Sequence, residues 1–277
     1  MKADCHIHMV LDGVDWKASI ARGIQEDYIR SILKAYAARG YTYLRDGGDR
    51  WGVGKRAREL ACDYGITYKT PLAPLCLKGH YGGFIGLQYE STKEFADLVV
   101  MQRTQGADFV KIMISGLMDF DRFGVLTQEG LEHHLIRELI HIAHEEGFSV
   151  MAHCNGARTA QAAAEAGVDS IEHGAYLDED ALHAMKEGCV VWVPTVSTIG
   201  NLLCKGRFDE GAVKKILDSA LENLDRFRQM GGLIAPGTDA GAWAVPHSCE
   251  TEEQWLSKAG ITEEYLTHGT TAIQKKF

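Results

Sequence analysis

An α/β fold of the (β/α)8 TIM-barrel type is predicted by three features of the 277-residue sequence. Helical patterns and short apolar runs alternate along the chain. A glycine recurs where each helical pattern stops and the next apolar run begins. Links from helix to strand are one or two residues, whereas several links from strand to helix are long. Glycine suits the position just past a helix because it takes φ > 0 without a Cβ clash. Near-continuous apolar runs are what parallel strands covered by helices require. One such barrel uses roughly 250 residues, so residues 1–277 are expected to form a single domain.

The elements follow in order. The first strand is expected at 3–9. A helix at 25–38 stops at Gly40 and feeds a strand at 41–45, and a helix at 55–64 stops at Gly65 before a strand at 66–70. Helix 92–105 and Gly106 lead into strand 108–114, and helix 128–146 and Gly147 lead into strand 148–152. Helix 158–165, Gly167 and strand 168–172 come next, then helix 179–187, Gly188 and strand 189–194. Helix 210–230, Gly231 and strand 233–236 complete the set. The long links are 75–91, 115–127, 195–208 and 239–250. Active sites of such barrels sit at the C-terminal ends of the strands, within these loops.

Composition removes several classes. Hydrophobic residues at 45% and charged residues at 24% exclude a disordered or fibrous chain. Lys+Arg 29 against Asp+Glu 38 gives −9, which disfavours nucleic acid, since phosphate neutralisation supplies most of that affinity. No apolar run approaches the roughly 18 residues a membrane span needs. The opening Met1-Lys2-Ala3-Asp4-Cys5-His6 puts an acid and a histidine where a signal peptide needs its apolar stretch, so none is expected. Seven cysteines without a CxxC pair argue against a disulfide framework and for a reducing cytoplasm. The expected partner is therefore a small-molecule substrate, with a homo-oligomer left open.

Chemistry concentrates at the strand ends. In Asp4-Cys5-His6-Ile7-His8, alternation places Asp4, His6 and His8 on one face. Two imidazoles two residues apart can bite one metal, with Asp4 orienting them from below. His153 ends the fifth strand, His173 the sixth, and Asp239 follows the eighth. Lys111 sits in the apolar strand Asp108-Phe109-Val110-Lys111-Ile112-Met113-Ile114, where an unpaired ammonium is expensive to bury. Three solutions stay open: a salt bridge to Asp4 or Asp46, a neutral amine beside one metal, or reaction with CO2 to a carbamate. Beside two divalent cations, charge counting favours the carbamate.

The set His6-x-His8, Lys111, His153, His173 and Asp239, in this strand order, resembles the metal-dependent amidohydrolase superfamily. Asp4-Cys5-His6-Ile7-His8, Leu44-Arg45-Asp46-Gly47-Gly48, Asp108-Phe109-Val110-Lys111-Ile112-Met113, Ile171-Glu172-His173-Gly174 and Gly237-Thr238-Asp239-Ala240-Gly241 are similar to its imidazolonepropionase-like and Xaa-Pro dipeptidase-like branch. The resemblance implies two divalent metal ions, zinc-like. His6, His8 and Asp239 would hold one, His153 and His173 the other, with carbamylated Lys111 and a hydroxide between them. Relatives usually carry a flanking β-sandwich, which is not expected here.

Such a site hydrolyses an amide bond in a small molecule, dipeptide or N-acyl amino acid, with Asp239 moving the proton to the leaving amine. A mononuclear relative (a deaminase or lactonase) and a non-catalytic small-molecule-binding barrel are the competing readings. His80 in Lys78-Gly79-His80-Tyr81-Gly82-Gly83 is the candidate for a catalytic contact with the carbonyl or oxyanion, and Tyr81 for the pocket wall. Arg45 is a candidate partner for a substrate carboxylate, in competition with Asp46 or Asp49. Trp243, with Trp51 and His247, is a further candidate wall. A zincin motif is excluded because His144-Glu145-Glu146-Gly147-Phe148 lacks its second histidine. Cys154, next to His153, should face away from the site.

Overall fold

The computed structural model describes residues 2–277. β1 (Lys2–Ile7), β2 (Tyr41–Asp46) and β3 (Thr67–Lys69) form a three-stranded sheet in that order. β4 (Leu75–Leu77), β5 (Leu87–Tyr89), β6 (Val110–Met113), β7 (Val150–Cys154), β8 (Ser170–His173), β9 (Val191–Val193) and β10 (Leu233–Ile234) form a second, in the order β10-β9-β8-β7-β6-β4-β5. The strand pairings are parallel. Backbone hydrogen bonds stitch the two sheets together at two places. At one, Cys5 N donates to Pro236 O at 2.8 Å, Asp239 N to His6 O at 2.7 Å and His8 N to Ala240 O at 2.7 Å; at the other, Asp108 N donates to Thr70 O at 3.0 Å.

The break between the two sheets falls just after the predicted third strand, which is β3. β3 pairs with β2, whereas β4 pairs with β6. Pro71 and Pro74 lie between β3 and β4, and proline has no N–H to give a ladder. All eight predicted strands are present, and β4 and β5 are additions within the long 75–91 link.

The predicted helices are α2 (Glu26–Ala38), α3 (Val53–Ala61), α4 (Thr92–Thr104), α5 (His133–Glu145), α6 (Ala157–Glu165), α7 (Glu179–Glu187) and α9 (Glu210–Gln229), to which the structure adds α1 (Trp16–Arg22), α8 (Ser197–Gly200), α10 (Thr251–Lys258) and α11 (Glu263–Lys276). α5 starts later than position 128 because the backbone ahead of it is paired elsewhere: Gly116 N donates to the Gln128 carbonyl at 3.1 Å and Leu131 N to the Ile114 carbonyl at 2.8 Å. Gly40, Gly65, Gly106, Gly147, Gly167 and Gly231 take φ between 68° and 86°. Gly188 departs from this pattern. It stays right-handed at φ −73°, and Cys189 makes the left-handed turn instead at φ 51°.

Helices cover the outer faces of the strands. α2 buries Ile29, Ile32, Leu33 and Tyr36, the i, i+3, i+4, i+7 stripe of an amphipathic helix, each side chain contributing roughly 1.5–3 kcal/mol. A second apolar cluster joins Cys5, Tyr43, Phe109, Met151, Val191, Val193 and Ala235 with Ile273 and Phe277 of the C-terminal segment. Phe109 and Met151 precede Lys111 and His153 by two residues on their strands, so an apolar layer underlies the polar one. The seven cysteines are free thiols. Among the described residues, no helix is long and apolar enough to cross a membrane.

Candidate active site

His6 on β1, His8 just beyond it, Lys111 on β6, His153 on β7, His173 at the end of β8 and Asp239 beyond β10 converge at one place. Asp239 Oδ1 lies 3.7 Å from His6 Nε2 and 3.5 Å from His8 Nε2. Lys111 Nζ lies 3.2 Å from His6 Nε2. The His6 and His173 rings are 5.1 Å apart and the His153 and His173 rings 4.5 Å apart.

Backbone irregularities bring these side chains in. The β1–β2 register shifts between Asp4 and Ile7, so Cys5 joins the inner apolar cluster and the neighbouring His6 still reaches Lys111. On β8, strict alternation would put Glu172 and His173 on opposite faces. His173 instead adopts φ 68°, and Asp239 adopts φ 57°. Non-glycine residues in this region cost of order 1–3 kcal/mol each and cluster at functional sites.

Burial sets the protonation of the cluster. It pushes the His8 and His153 imidazoles down to about 3, helped by the Lys111 charge. Burial likewise drives His6 and His173 well below the ordinary histidine value. It raises the Asp239 carboxyl and lowers the Lys111 ammonium. Neutral imidazole is the form that ligates metal.

The residues fit a divalent cation. Asp239 Oδ1 is buried without a hydrogen-bond partner, and the donor atoms of His6, His8 and Asp239 all lie within 4.8 Å of one another. Three further ring nitrogens of the cluster have other partners. His6 Nδ1 meets Glu172 Oε2 at 2.7 Å, His173 Nδ1 meets Thr195 Oγ1 at 2.7 Å, and His153 Nε2 meets the Gly116 carbonyl at 3.2 Å.

Several sequence expectations need correction. Asp4 does not share the site face. It accepts from Thr238 N at 2.9 Å, Thr238 Oγ1 at 2.6 Å and Tyr36 Oη at 3.2 Å, tying β1 to the segment after β10. Neither Asp4 nor Asp46 forms a salt bridge with Lys111; Asp46 accepts from Met9 N and Thr70 Oγ1. Arg45 is not placed to meet a substrate. It is fully buried, donates to Cys5 O, Ser170 Oγ and Glu172 Oε1 at 2.7, 2.9 and 2.7 Å, and pairs with Glu172 rather than with Asp46 or Asp49. Removing either partner would strand a buried charge, at a cost of roughly 3–5 kcal/mol.

A cavity of about 1050 Å³ opens above the cluster, walled by Trp16, Tyr81, Phe84, Phe120, Phe208 and Trp243 among others. Tyr81 stacks near His153 at 4.7 Å. His80 is half-buried and outside the cavity wall, because its N–H closes a turn onto Leu77 O and the chain presents Tyr81 instead. Trp51 packs with the α2–α3 apolar cluster, and His247 Nε2 bonds the Leu11 carbonyl at 2.8 Å. Glu172, Thr195 and Arg207 were not anticipated. Glu172 carried the same signal as Lys111, a charge inside a buried strand.

Ochratoxinase from Aspergillus niger is 29% identical over 198 residues, which cover 66% of this chain and 38% of that protein. The chain thus spans well under half the length of that relative. A crystal structure of a Xaa-Pro dipeptidase with bound methionine superposes with a TM-score of 0.79 at 20% identity, over 99% of this chain and 74% of that one. The crystal structure of A. niger ochratoxinase gives 0.77 at 21% identity, over 98% and 70%. These likenesses show a shared fold. The sequence profile of the amidohydrolase family matches residues 3–249, and the chain belongs to that family.

Proposed function

We propose that this chain is a metal-dependent hydrolase cleaving an amide C–N bond in a small molecule, dipeptide or N-acyl amino acid, built as a single closed (β/α)8 barrel. One observation carries the reading: His6, His8 and Asp239 face one another around an unpartnered buried carboxylate oxygen, on the floor of a 1050 Å³ cavity. The dipeptidase among its structural neighbours supports an amide as the target.

His6, His8 and Asp239 would hold one divalent cation, zinc by the chemistry of the donor set, and His153 and His173 a second. Lys111 would lie between them as a carbamate, the form that turns a buried cation without a carboxylate partner into an oxygen ligand. When bound, the ions supply Lewis acidity and a water acidified to a pKa of roughly 7. The chain does the rest. Asp239 takes a proton on its carboxylate and delivers it to the leaving nitrogen. Tyr81, Phe84 and Trp243 exclude water and grip the apolar part of the substrate.

A mononuclear site is the second reading, favoured by one fact: only His6, His8 and Asp239 bring three donor atoms within 4.8 Å of one another among the described residues. Metal analysis of the purified protein, with a screen of N-acyl amino acids, dipeptides, cyclic amides and lactones, decides. About two ions per chain, reduced in Lys111→Ala together with loss of amide hydrolysis, supports the first reading. One ion with Lys111→Ala still active supports the second, and no ion with no turnover defeats both.

A further inference from the structure

We propose that Glu172 is a positioning residue that sets His6 for metal ligation: clamped by Arg45 and Ser170, it accepts the Nδ1 proton and leaves Nε2 as the lone pair facing Asp239. This inference rests on the metal-centred reading above. His6 Nδ1 lies 2.7 Å from Glu172 Oε2, and His6 Nε2 lies 3.2 Å from Lys111 Nζ. A carboxylate only accepts. Glu172 Oε2 is therefore satisfied by one tautomer of His6, the one protonated at Nδ1, which leaves the lone pair on Nε2.

The two oxygens of Glu172 are divided between two tasks. Oε1 accepts from Arg45 Nη2 at 2.7 Å and from Ser170 Oγ at 2.6 Å, which leaves Oε2 to His6. Arg45 is itself fixed through Nε on the Cys5 carbonyl at 2.7 Å and Nη1 on Ser170 Oγ at 2.9 Å, with the Phe277 ring 4.5 Å from its guanidinium carbon. The side chains of His6, Glu172 and Arg45 are fully buried. Apolar residues of similar volume are often at least as stabilising as a buried ion pair, so stability alone gives no reason for this one. Orientation does.

The other histidines receive less. His173 has the neutral hydroxyl of Thr195, His153 the Gly116 carbonyl, and His8 Nδ1 is buried without a partner. Of these four site histidines, His6 is the one whose Nδ1 meets a carboxylate, and that carboxylate is neutralised on its far side. The arrangement fixes the ring without adding net negative charge beneath the site. Partners of this kind change metal affinity by roughly 10- to 100-fold when lost.

The test uses the full chain and Zn2+ alone. Zinc affinity is measured by chelator competition for the wild type and for Glu172→Gln, whose amide cannot accept from both Arg45 and His6 without turning its NH2 toward one of them. The expected result is zinc bound roughly 10- to 100-fold more weakly by the variant. Equal affinity in a variant that circular dichroism shows to be folded overturns the role of Glu172, whereas a wild type that binds no zinc overturns the metal reading itself. Long-range 1H–15N spectra of metal-free wild type need no variant and decide the matter if Glu172→Gln does not fold. An Nδ1-protonated His6 supports the proposal, and an Nε2-protonated His6 ends it.

Discussion

His173 and Thr195 meet through a 2.7 Å contact between Nδ1 and Oγ1, and both hold left-handed backbone, with φ of 68° and 49°. A β-branched residue in that region is a genuine outlier, so surrounding contacts must hold it. Glu252 supplies them next door, accepting from Val196 N at 3.0 Å and Ser197 N at 2.7 Å. Thr198 Oγ1 donates to the Thr195 carbonyl at 2.8 Å. Thr195→Val keeps the shape and removes the hydroxyl. Zinc affinity, read by chelator competition, should fall by roughly 10- to 100-fold. Unchanged affinity would mean that packing alone holds the His173 ring.

Asp239 combines a ligand position with a proton to carry. Asp239→Asn retains an oxygen donor but cannot take a proton on it. Metal content should stay near that of the wild type, while kcat falls by about 10²- to 10⁴-fold. Steady-state kinetics alongside elemental analysis check this, and a variant turning over at the wild-type rate would assign the proton elsewhere.

What the sequence displayed and what it concealed have separate causes. Strand order, helix stops and the convergence of His6, His8, Lys111, His153, His173 and Asp239 follow from periodicity and from ligand-type residues at strand ends, both local features. The fate of Arg45 was not local. Its guanidinium reaches Ser170 and Glu172, 125 and 127 residues away, and no spacing rule announces a partner at that distance. His173 and Cys5 defeat alternation through a left-handed φ and a register shift. His80 and Tyr81 are neighbours in a glycine-rich turn, where sequence offers no rule for which side chain enters the cavity.

Arg207 lines the cavity, and an anionic group on the proposed substrate is expected to meet it. Its guanidinium carbon lies 4.3 Å from the Trp243 ring and 5.3 Å from Phe208. Apart from Asp239 of the candidate metal site, the acids on the same wall are committed: Asp119 to Arg122, Asp121 to the Asp209 N–H, and Asp15 to the first turn of α1. Arg207→Met keeps the stacked, apolar stem and removes the charge. For an N-acyl amino acid with a free carboxylate, KM should rise roughly 10- to 100-fold, the worth of a charge-assisted hydrogen bond, with kcat held. The matching neutral amide should be unaffected. Equal effects on both substrates would reduce Arg207 to a wall residue.

Asp169 ties three distant segments together away from the site. It accepts from Val150 N at 2.8 Å and contacts His144 Nε2 at 3.1 Å and Lys276 Nζ at 3.2 Å. Burial raises its carboxyl, but the bonds from His144 and Val150 and the Lys276 charge outweigh burial and hold it below the usual carboxylate range. The folded state therefore binds fewer protons at this group than the unfolded chain does. Its stabilisation is complete above the unfolded value of 3.8 and is lost as pH falls through the lower folded value. Asp169→Asn should cost about 1–2 kcal/mol near neutral pH. In urea titrations from pH 7 downward, the gap to the wild type should hold to about pH 5 and then close as the wild-type carboxyl takes its proton. A gap that persists unchanged into acid would show that Asp169 acts through shape and not through charge.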